Sequence, residues 1–181
     1  MYPRGVENWT LPAGKPRLES LPAGDFADGE PIFHPFGTNP QDAVAHLVAG
    51  RADKGLDCAA ARVVPGHETR SWLLELGRPG PIVQPRVGMR VIKSGIKTGV
   101  TEGEIVAITG DVVEIRAPQG YPGSYDLSQR GDSGSIWCSC DIQDGTLPMV
   151  ALHTGGNVTG PEKAHGVLME VVFRQLGLQR F

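Results

Sequence analysis

The chain has 181 residues, of which 40% are apolar and 20% charged, and its formal net charge is −3. This length allows one large domain or two small packed halves with a substantial core. The slightly acidic balance provides no general basic surface, so we expect no nucleic-acid partner. No apolar run approaches the ~18–20 residues of a membrane helix, and no apolar segment follows a basic start, so we expect no membrane partner and favour a cytoplasmic location.

Residues 1–31 are rich in proline and glycine and show no apolar periodicity, which predicts an irregular N-terminal arm. From Pro31 onward, short apolar runs rich in Val and Ile alternate with turn residues. This pattern is typical of an all-β barrel or sandwich. The runs are Ala43–Val48, Ala59–Val64, Ser71–Leu76, Val87–Ile92, Val100–Ile108, Val112–Ile115, Ser135–Cys138, Met149–His153 and Gly166–Val172.

Three local signals complete this pattern. The tripeptide Thr109-Gly110-Asp111 separates two β-type runs and predicts a hairpin. The segment Pro79–Pro85 is the best candidate for a connector between two β halves. Four apolar residues near the end recur at helical spacing and are followed by glycine, so we expect one short C-terminal helix. These residues are Met169, Val172, Phe173 and Leu176, followed by Gly177.

The sharpest chemical signal is the pentapeptide Gly131-Asp132-Ser133-Gly134-Ser135. A serine hydroxyl is a weak nucleophile at neutral pH, so it needs exposure on a tight turn, a neighbouring base and donors for a developing oxyanion. Glycine permits such a turn, and the amides of Gly131 and Ser133 would then point at one oxygen. The alternative from these residues alone is an ordinary polar β-turn.

Two further blocks accompany this pentapeptide. Residues 87–103 read VGMRVIKSGIKTGVTEG, and residues 150–156 read VALHTGG. In this order the three blocks resemble the second barrel of the chymotrypsin-like (trypsin-like) serine peptidases, especially their bacterial branch. The resemblance covers about residues 87–176, and it implies a two-barrel all-β fold whose first barrel is incomplete or divergent. It divides the chain into an arm at 1–31, a partial first barrel at 32–86, and a second barrel with the C-terminal helix at 87–181.

The resemblance also implies a catalytic apparatus for peptide-bond hydrolysis. Ser133 would be the nucleophile, and Gly131 would contribute to the oxyanion hole. The segment Leu56–Val63 is similar to the part of these peptidases that carries the triad aspartate, which makes Asp57 the expected orienter of a histidine. The alternative interpretation of Asp57 is a turn residue that caps the following strand.

The histidine is where the chain departs from the family. The order His…Asp…Ser requires a histidine before Asp57, and only His34 and His46 precede it. We take His34 as the catalytic base and His46 as its alternative, although His46 also reads as a structural strand residue. Two other interpretations stay open: an inactive peptidase-like binding or regulatory module, and a C-terminal fragment that lacks the triad histidine.

The resemblance places a buried ion pair next to the nucleophile. The basic residue before the Ser-Gly pair of these peptidases holds the aspartate of the nucleophile loop, which assigns Lys93 to Asp132. A buried carboxylate without a partner would be costly, so this pair is a definite structural prediction.

The remaining expectations concern the substrate, which would be a polypeptide. The resemblance places Leu127 at the floor of the specificity pocket, so a preference for basic side chains is not implied. His153, Thr154 and Gly155 lie on the strand that pairs with substrate backbone in the family. His153 and Arg130 would favour acidic or polar substrate side chains, or would be solvated rim residues. No cofactor and no metal site are expected, and the oligomeric state is not predicted.

Overall fold

The structure, a computed structural model, describes residues 29–33, 39–53, 56–122, 125–156 and 163–178. The chain divides into two compact units, one formed by Met1–Arg70 with Phe173–Phe181 and the other by Ser71–Val172. The boundaries expected from the sequence, at residues 31 and 86, remain predictions. Within the described ranges, nothing helical has both the length and the apolar character needed to cross a membrane.

The first unit contains a three-stranded antiparallel sheet in the order β1-β2-β3. Its strands are β1 (Pro31–Ile32), β2 (Ala45–Asp53) and β3 (Leu56–Val63), and a short 3-10 helix (Pro40–Asp42) precedes β2. Ala45, Leu47 and Ala49 are buried, whereas His46 between them is half-buried. This alternation follows from the two-residue period of a strand. With three strands in the part that the structure describes, the first barrel is incomplete.

The second unit contains a closed six-stranded barrel. Its strands follow the order β10-β7-β6-β5-β8-β9, and β10 also pairs with β9, which closes the sheet. An additional strand, β4, joins β9 in parallel from outside the barrel. The strands are β4 (Pro79–Ile82), β5 (Arg90–Gly95), β6 (Gly99–Thr109), β7 (Val112–Arg116), β8 (Ile136–Ser139), β9 (Leu147–Gly156) and β10 (Lys163–Leu168).

The interior of this barrel is filled by alternate residues of its strands, as barrel geometry requires. On β5 the buried positions are Val91, Lys93 and Gly95, so a lysine side chain points into the barrel. The apolar core is built from Met89, Val91, Ile105, Val113, Ile115, Leu127, Trp137, Val150, Ala151 and Ala164. The same alternation that builds the core therefore carries one positive charge inside.

Two local predictions are confirmed. The hairpin between β6 and β7 turns at Gly110, which has a positive φ of 58°. The C-terminal helix α1 spans Met169–Leu176 and buries Met169, Val172 and Leu176. Gly177 ends it with a φ of 64°, the left-handed conformation common after a helix.

Two other segments differ from expectation. The predicted connector contains the edge strand β4. Proline is compatible with an edge strand, because a residue without an amide donor loses little where few ladder bonds are made. The apolar run at residues 71–76 forms a tight turn instead of a strand, in which the Leu73 amide donates to the Gly77 carbonyl at 2.7 Å. Glu75 adopts a left-handed φ of 62° within it, which interrupts an extended backbone.

Candidate active site

The turn before β8 exposes the Ser133 side chain. Gly131 and Gly134 have φ values of 108° and 89°, which a residue with a Cβ adopts only at a cost. The turn is fixed by the Ser135 amide and hydroxyl, which both donate to the Asp132 carbonyl at 3.0 and 2.7 Å. The Gly134 amide donates to the His153 carbonyl at 2.8 Å. Ser133 is thus held on the outside of a firmly tied turn, with its hydroxyl 3.5 Å from the Thr154 carbonyl oxygen.

Two amides of this turn remain available. The amide of Asp132 donates to the Gln129 carbonyl at 3.1 Å, and those of Gly134 and Ser135 are also engaged. Within the described ranges, the amides of Gly131 and Ser133 donate to no protein acceptor. Two free donors beside an exposed hydroxyl are what stabilisation of an oxyanion requires.

A buried ion pair between β5 and the nucleophile turn stabilises the turn. Lys93 and Asp132 are fully buried, and the Lys93 Nζ lies 3.1 Å from the Asp132 Oδ2. The carboxylate also accepts hydrogen bonds from the Thr98 hydroxyl at 2.7 Å and from the amides of Lys97, Thr98 and Gln129 at 2.9, 3.3 and 3.0 Å. Burial by itself would raise the pKa of the Asp132 carboxyl, but these donors outweigh it and hold that pKa well below its usual range.

The Asp132 carboxylate lies close to β5, and this position depends on a glycine in that strand. A Cβ at Gly95 would collide with the carboxylate of Asp132. Lys93 also donates to the Thr98 hydroxyl at 2.8 Å, and its ammonium lies 5.3 Å from the centre of the Trp137 ring. Gly95 and Thr98 of the hairpin motif therefore both help to enclose Asp132.

His153 joins the nucleophile turn to the neighbouring wall of the barrel. Its Nε2 lies 2.8 Å from the Ser128 hydroxyl, and its Nδ1 lies 3.3 Å from the indole Nε1 of Trp137. An indole N–H only donates, so Nδ1 is the acceptor and the proton of the neutral ring is on Nε2. Burial, together with the positive charge of Lys93, lowers the pKa of His153 to about 4. The ring is therefore an uncharged hydrogen-bond donor at neutral pH.

The other expected substrate-binding residues lie in the barrel core, in the nucleophile turn and on β9. Leu127 is fully buried in the barrel core, and its carbonyl accepts a hydrogen bond from the Thr101 hydroxyl at 3.1 Å. Arg130 is exposed at the start of the nucleophile turn. Thr154 and Gly155 continue β9 beyond the point where it leaves β8, since the last β8 pairing is Ile136 with Leu152.

The remaining triad candidates belong to the first unit, whereas Ser133 belongs to the second. Asp57 is exposed on β3, and the His46 Nδ1 on β2 lies 3.1 Å from the Gly29 carbonyl. His34 lies outside the described residues. Among the histidines that the structure describes, none has a ring nitrogen bonded to the Ser133 hydroxyl.

Sequence reasoning missed several residues that build this site. Thr98 and Gly95 stood within the hairpin motif, so the motif itself carried their signal. Ser128 and Trp137 gave none, because their roles depend on which side chains meet inside the barrel. The donor from Gln129 is a backbone amide and leaves no trace in residue identity.

Comparison with known proteins shows a relationship in fold. No family model and no curated protein matches the chain in sequence. Among solved structures, Cellulomonas bogoriensis chymotrypsin superposes with a TM-score of 0.56 and 18% identity over 76% of this chain and 75% of that one. A glutamic-acid-specific serine protease, described as using a histidine triad in substrate binding, gives 0.56 and 18% over 77% and 74%. Thermobifida fusca protease A gives 0.54 and 17% over 75% and 73%. The chain thus has a chymotrypsin-like fold with an incomplete first barrel.

Proposed function

We propose that the chain is a serine endopeptidase-like protein that hydrolyses peptide bonds through an acyl-enzyme on Ser133. One observation carries this proposal: an exposed serine hydroxyl lies beside two amides without acceptors, on a turn tied down by a buried ion pair. A polar β-turn without chemical function has no need for a buried lysine and aspartate, because burying two charges is expensive. The fold relationship to bacterial serine proteases supports the same reaction class.

In this proposal the Ser133 oxygen attacks the substrate carbonyl while its proton passes to a histidine. The amides of Gly131 and Ser133 receive the negative charge of the tetrahedral intermediate. The C–N bond then breaks, and the leaving amine takes the proton from the imidazolium. Water cleaves the acyl-enzyme by the reverse proton transfer. Asp57 orients the base where that base is His34. The alternative base, His46, would act without this orienter, because Asp57 pairs with Ala52, six positions away along β2.

The substrate is a polypeptide with an acidic or polar side chain before the cleaved bond. The resemblance implies that the uncharged Leu127 lies at the floor of the specificity pocket, while Arg130 provides an exposed positive charge at the start of the turn. His153, uncharged and buried, donates from Nε2 to the Ser128 hydroxyl and so holds a polar pair beside β9. The glutamic-acid-specific protease with a similar fold is described as binding substrate through histidines.

A second candidate function is a peptide-binding or regulatory module without catalysis. The observation in its favour is the environment of the Ser133 hydroxyl, whose protein partner within the described ranges is the Thr154 carbonyl and not an imidazole nitrogen. Loss of one triad member typically lowers the rate by several orders of magnitude. A module of this kind keeps the turn and the β9 strand but turns over no peptide.

Cleavage of a mixed peptide library, followed by mass spectrometry, distinguishes these two functions. The endopeptidase predicts new termini with the full chain and none with Ser133→Ala. His34→Ala abolishes cleavage if His34 is the base, and His46→Ala does so if His46 is the base. His67→Ala, which removes an exposed histidine not assigned to the site, is the matched control and retains activity. Absence of cleavage by the folded full chain would favour the binding module.

A further inference from the structure

The outer face of the nucleophile turn carries, beside Arg130, a second exposed positive charge on Lys97 that the proposed hydrolysis does not use. Lys97 and Arg130 are both exposed, and Lys97 lies against Gly131. A Cβ built on Gly131 would be 3.0 Å from the Lys97 Cγ and 3.4 Å from its Cε. The ammonium is one bond beyond that Cε, so it lies next to the residue that supplies one of the two free amides.

The position of Lys97 is fixed by the same carboxylate that ties the turn. Its backbone amide donates to Asp132 at 2.9 Å, and the next residue, Thr98, donates through its amide and hydroxyl at 3.3 and 2.7 Å. The β5–β6 hairpin that carries Lys97 is thus anchored to the nucleophile turn through three hydrogen bonds. The lysine stem is therefore held against Gly131 by the fold of the backbone.

The acidic groups of this region do not cancel that charge. Asp132 is enclosed, and its negative charge is balanced by Lys93. Within the described residues, no carboxylate forms an ion pair with Lys97, and Asp126 is hydrogen-bonded to the Gln129 side chain at 2.8 Å. Two free amides and an exposed cation on neighbouring residues favour an anionic ligand. A fully ionised carboxylate gains more from such a site than the neutral carbonyl of a peptide bond does.

The neighbouring strand indicates which carboxylate this site would hold. Gly155 and Gly156 of β9 pair with β10 on one side, and no described strand pairs with Thr154–Gly156 on the side that faces Ser133. An extended peptide adds to such a strand through its backbone. A peptide lying along β9 would reach the turn with its main chain, and the group at its end is the C-terminal carboxylate.

We propose that the Gly131 and Ser133 amides together with Lys97 bind the free C-terminal carboxylate of an extended peptide that lies along β9. The inference rests on the proposed function in that it uses the same turn, but it needs neither a base nor turnover. For an active peptidase this site retains the acid product of cleavage. For a module without catalysis it recognises the end of a polypeptide chain.

Titration of the ¹⁵N-labelled full chain tests the proposal. The chain carries Ser133→Ala, which keeps both amides and prevents turnover. Two ligands are compared: a pool of N-acetylated random tetrapeptides with a free C-terminal carboxylate, and the same pool as C-terminal amides. The acid pool is expected to bind about tenfold more tightly and to shift the amide resonances of Gly131 and residue 133. In the Lys97→Met variant this preference disappears, because the stem remains and the charge is lost.

The controls decide between outcomes. Arg86→Met removes an exposed charge that is paired with Asp141 at 3.5 Å, and it is expected to keep the tenfold preference. Equal binding of acid and amide pools, or an unchanged preference in Lys97→Met, overturns the proposal. An equal response to sodium acetate at the same concentration also overturns it, since the site would then bind a bare anion. Labelling of the unmodified chain by a fluorophosphonate is scored separately, so failure of the proposed hydrolysis and failure of carboxylate binding are distinguishable.

Discussion

The buried ion pair under the nucleophile turn leads to a large predicted effect of Lys93→Met on stability. Methionine preserves most of the side-chain volume in the barrel but removes the ammonium that lies 3.1 Å from the Asp132 carboxylate. Asp132 keeps four hydrogen bonds, from Gln129, Lys97 and Thr98, but its charge becomes uncompensated. Thr98 at the same time loses the donor that lies 2.8 Å from its hydroxyl.

Removal of one partner from a buried ion pair costs about 3–5 kcal/mol, because the other charge stays in a medium of low polarity. For a unit of roughly 100 residues, each kcal/mol lowers the unfolding midpoint by about 4–8 °C. The lower ends of these two ranges, multiplied together, predict that Lys93→Met lowers the unfolding midpoint by at least ~12 °C. The partly exposed pair of Lys163 and Glu114, at 3.0 Å, offers a matched comparison. There Lys163→Met is expected to cost about 0–1 kcal/mol, since water screens both charges.

Thermal and urea unfolding, followed by circular dichroism, measure both variants. The double variant Lys93→Met with Asp132→Asn is expected to be more stable than Lys93→Met alone, since it removes the uncompensated charge. If Lys93→Met lowered the free energy of unfolding by less than ~1 kcal/mol, as Lys163→Met is expected to do, the result would contradict the reasoning. A double variant less stable than the single one would do so as well.

Three further predictions concern the same barrel. Gly131→Ala places a Cβ on a residue with a φ of 108°, 3.0 Å from the Lys97 Cγ. We expect this change to displace the oxyanion donors and to slow fluorophosphonate labelling, measured by mass spectrometry, at least ~100-fold. His153 has a pKa of about 4 when folded against 6.5 ordinarily, so its contribution to stability is present above pH 6.5 and is lost as the pH falls towards 4. The free energy of unfolding, measured with urea above pH 6.5 and near pH 4, should decrease by about 3 kcal/mol. This decrease should be smaller in His153→Gln. Burial raises the pKa of the Cys138 thiol to about 12, so iodoacetamide at pH 8 should modify it only after unfolding, which peptide mapping would show.

The sequence predicted those features that depend on local pattern. The turn at Gly110, the helix Met169–Leu176 and the all-β class follow from periodicity and turn residues, and the structure confirms them. The resemblance to the serine peptidases implied a pair between Lys93 and Asp132, and the structure places these side chains 3.1 Å apart.

Other features depend on contacts between residues distant in sequence. The hydrogen bonds of His153 to Ser128 and Trp137 span 25 and 16 positions, and no pattern in the sequence predicts them. Glu75 ended a predicted strand through a left-handed backbone conformation that its identity does not indicate. The choice between His34 and His46 stays a prediction as well, because spacing alone does not say which imidazole meets a serine.

Mapping of a fluorophosphonate adduct tests most directly whether Ser133 is an activated nucleophile. The folded full chain is treated with the probe at neutral pH and digested, and the modified residue is identified by mass spectrometry. We predict a single adduct on Ser133 that is absent after heat unfolding and absent in Ser133→Ala. No adduct on a chain shown to be folded, or equal labelling of Ser133 before and after unfolding, would contradict the proposed hydrolysis.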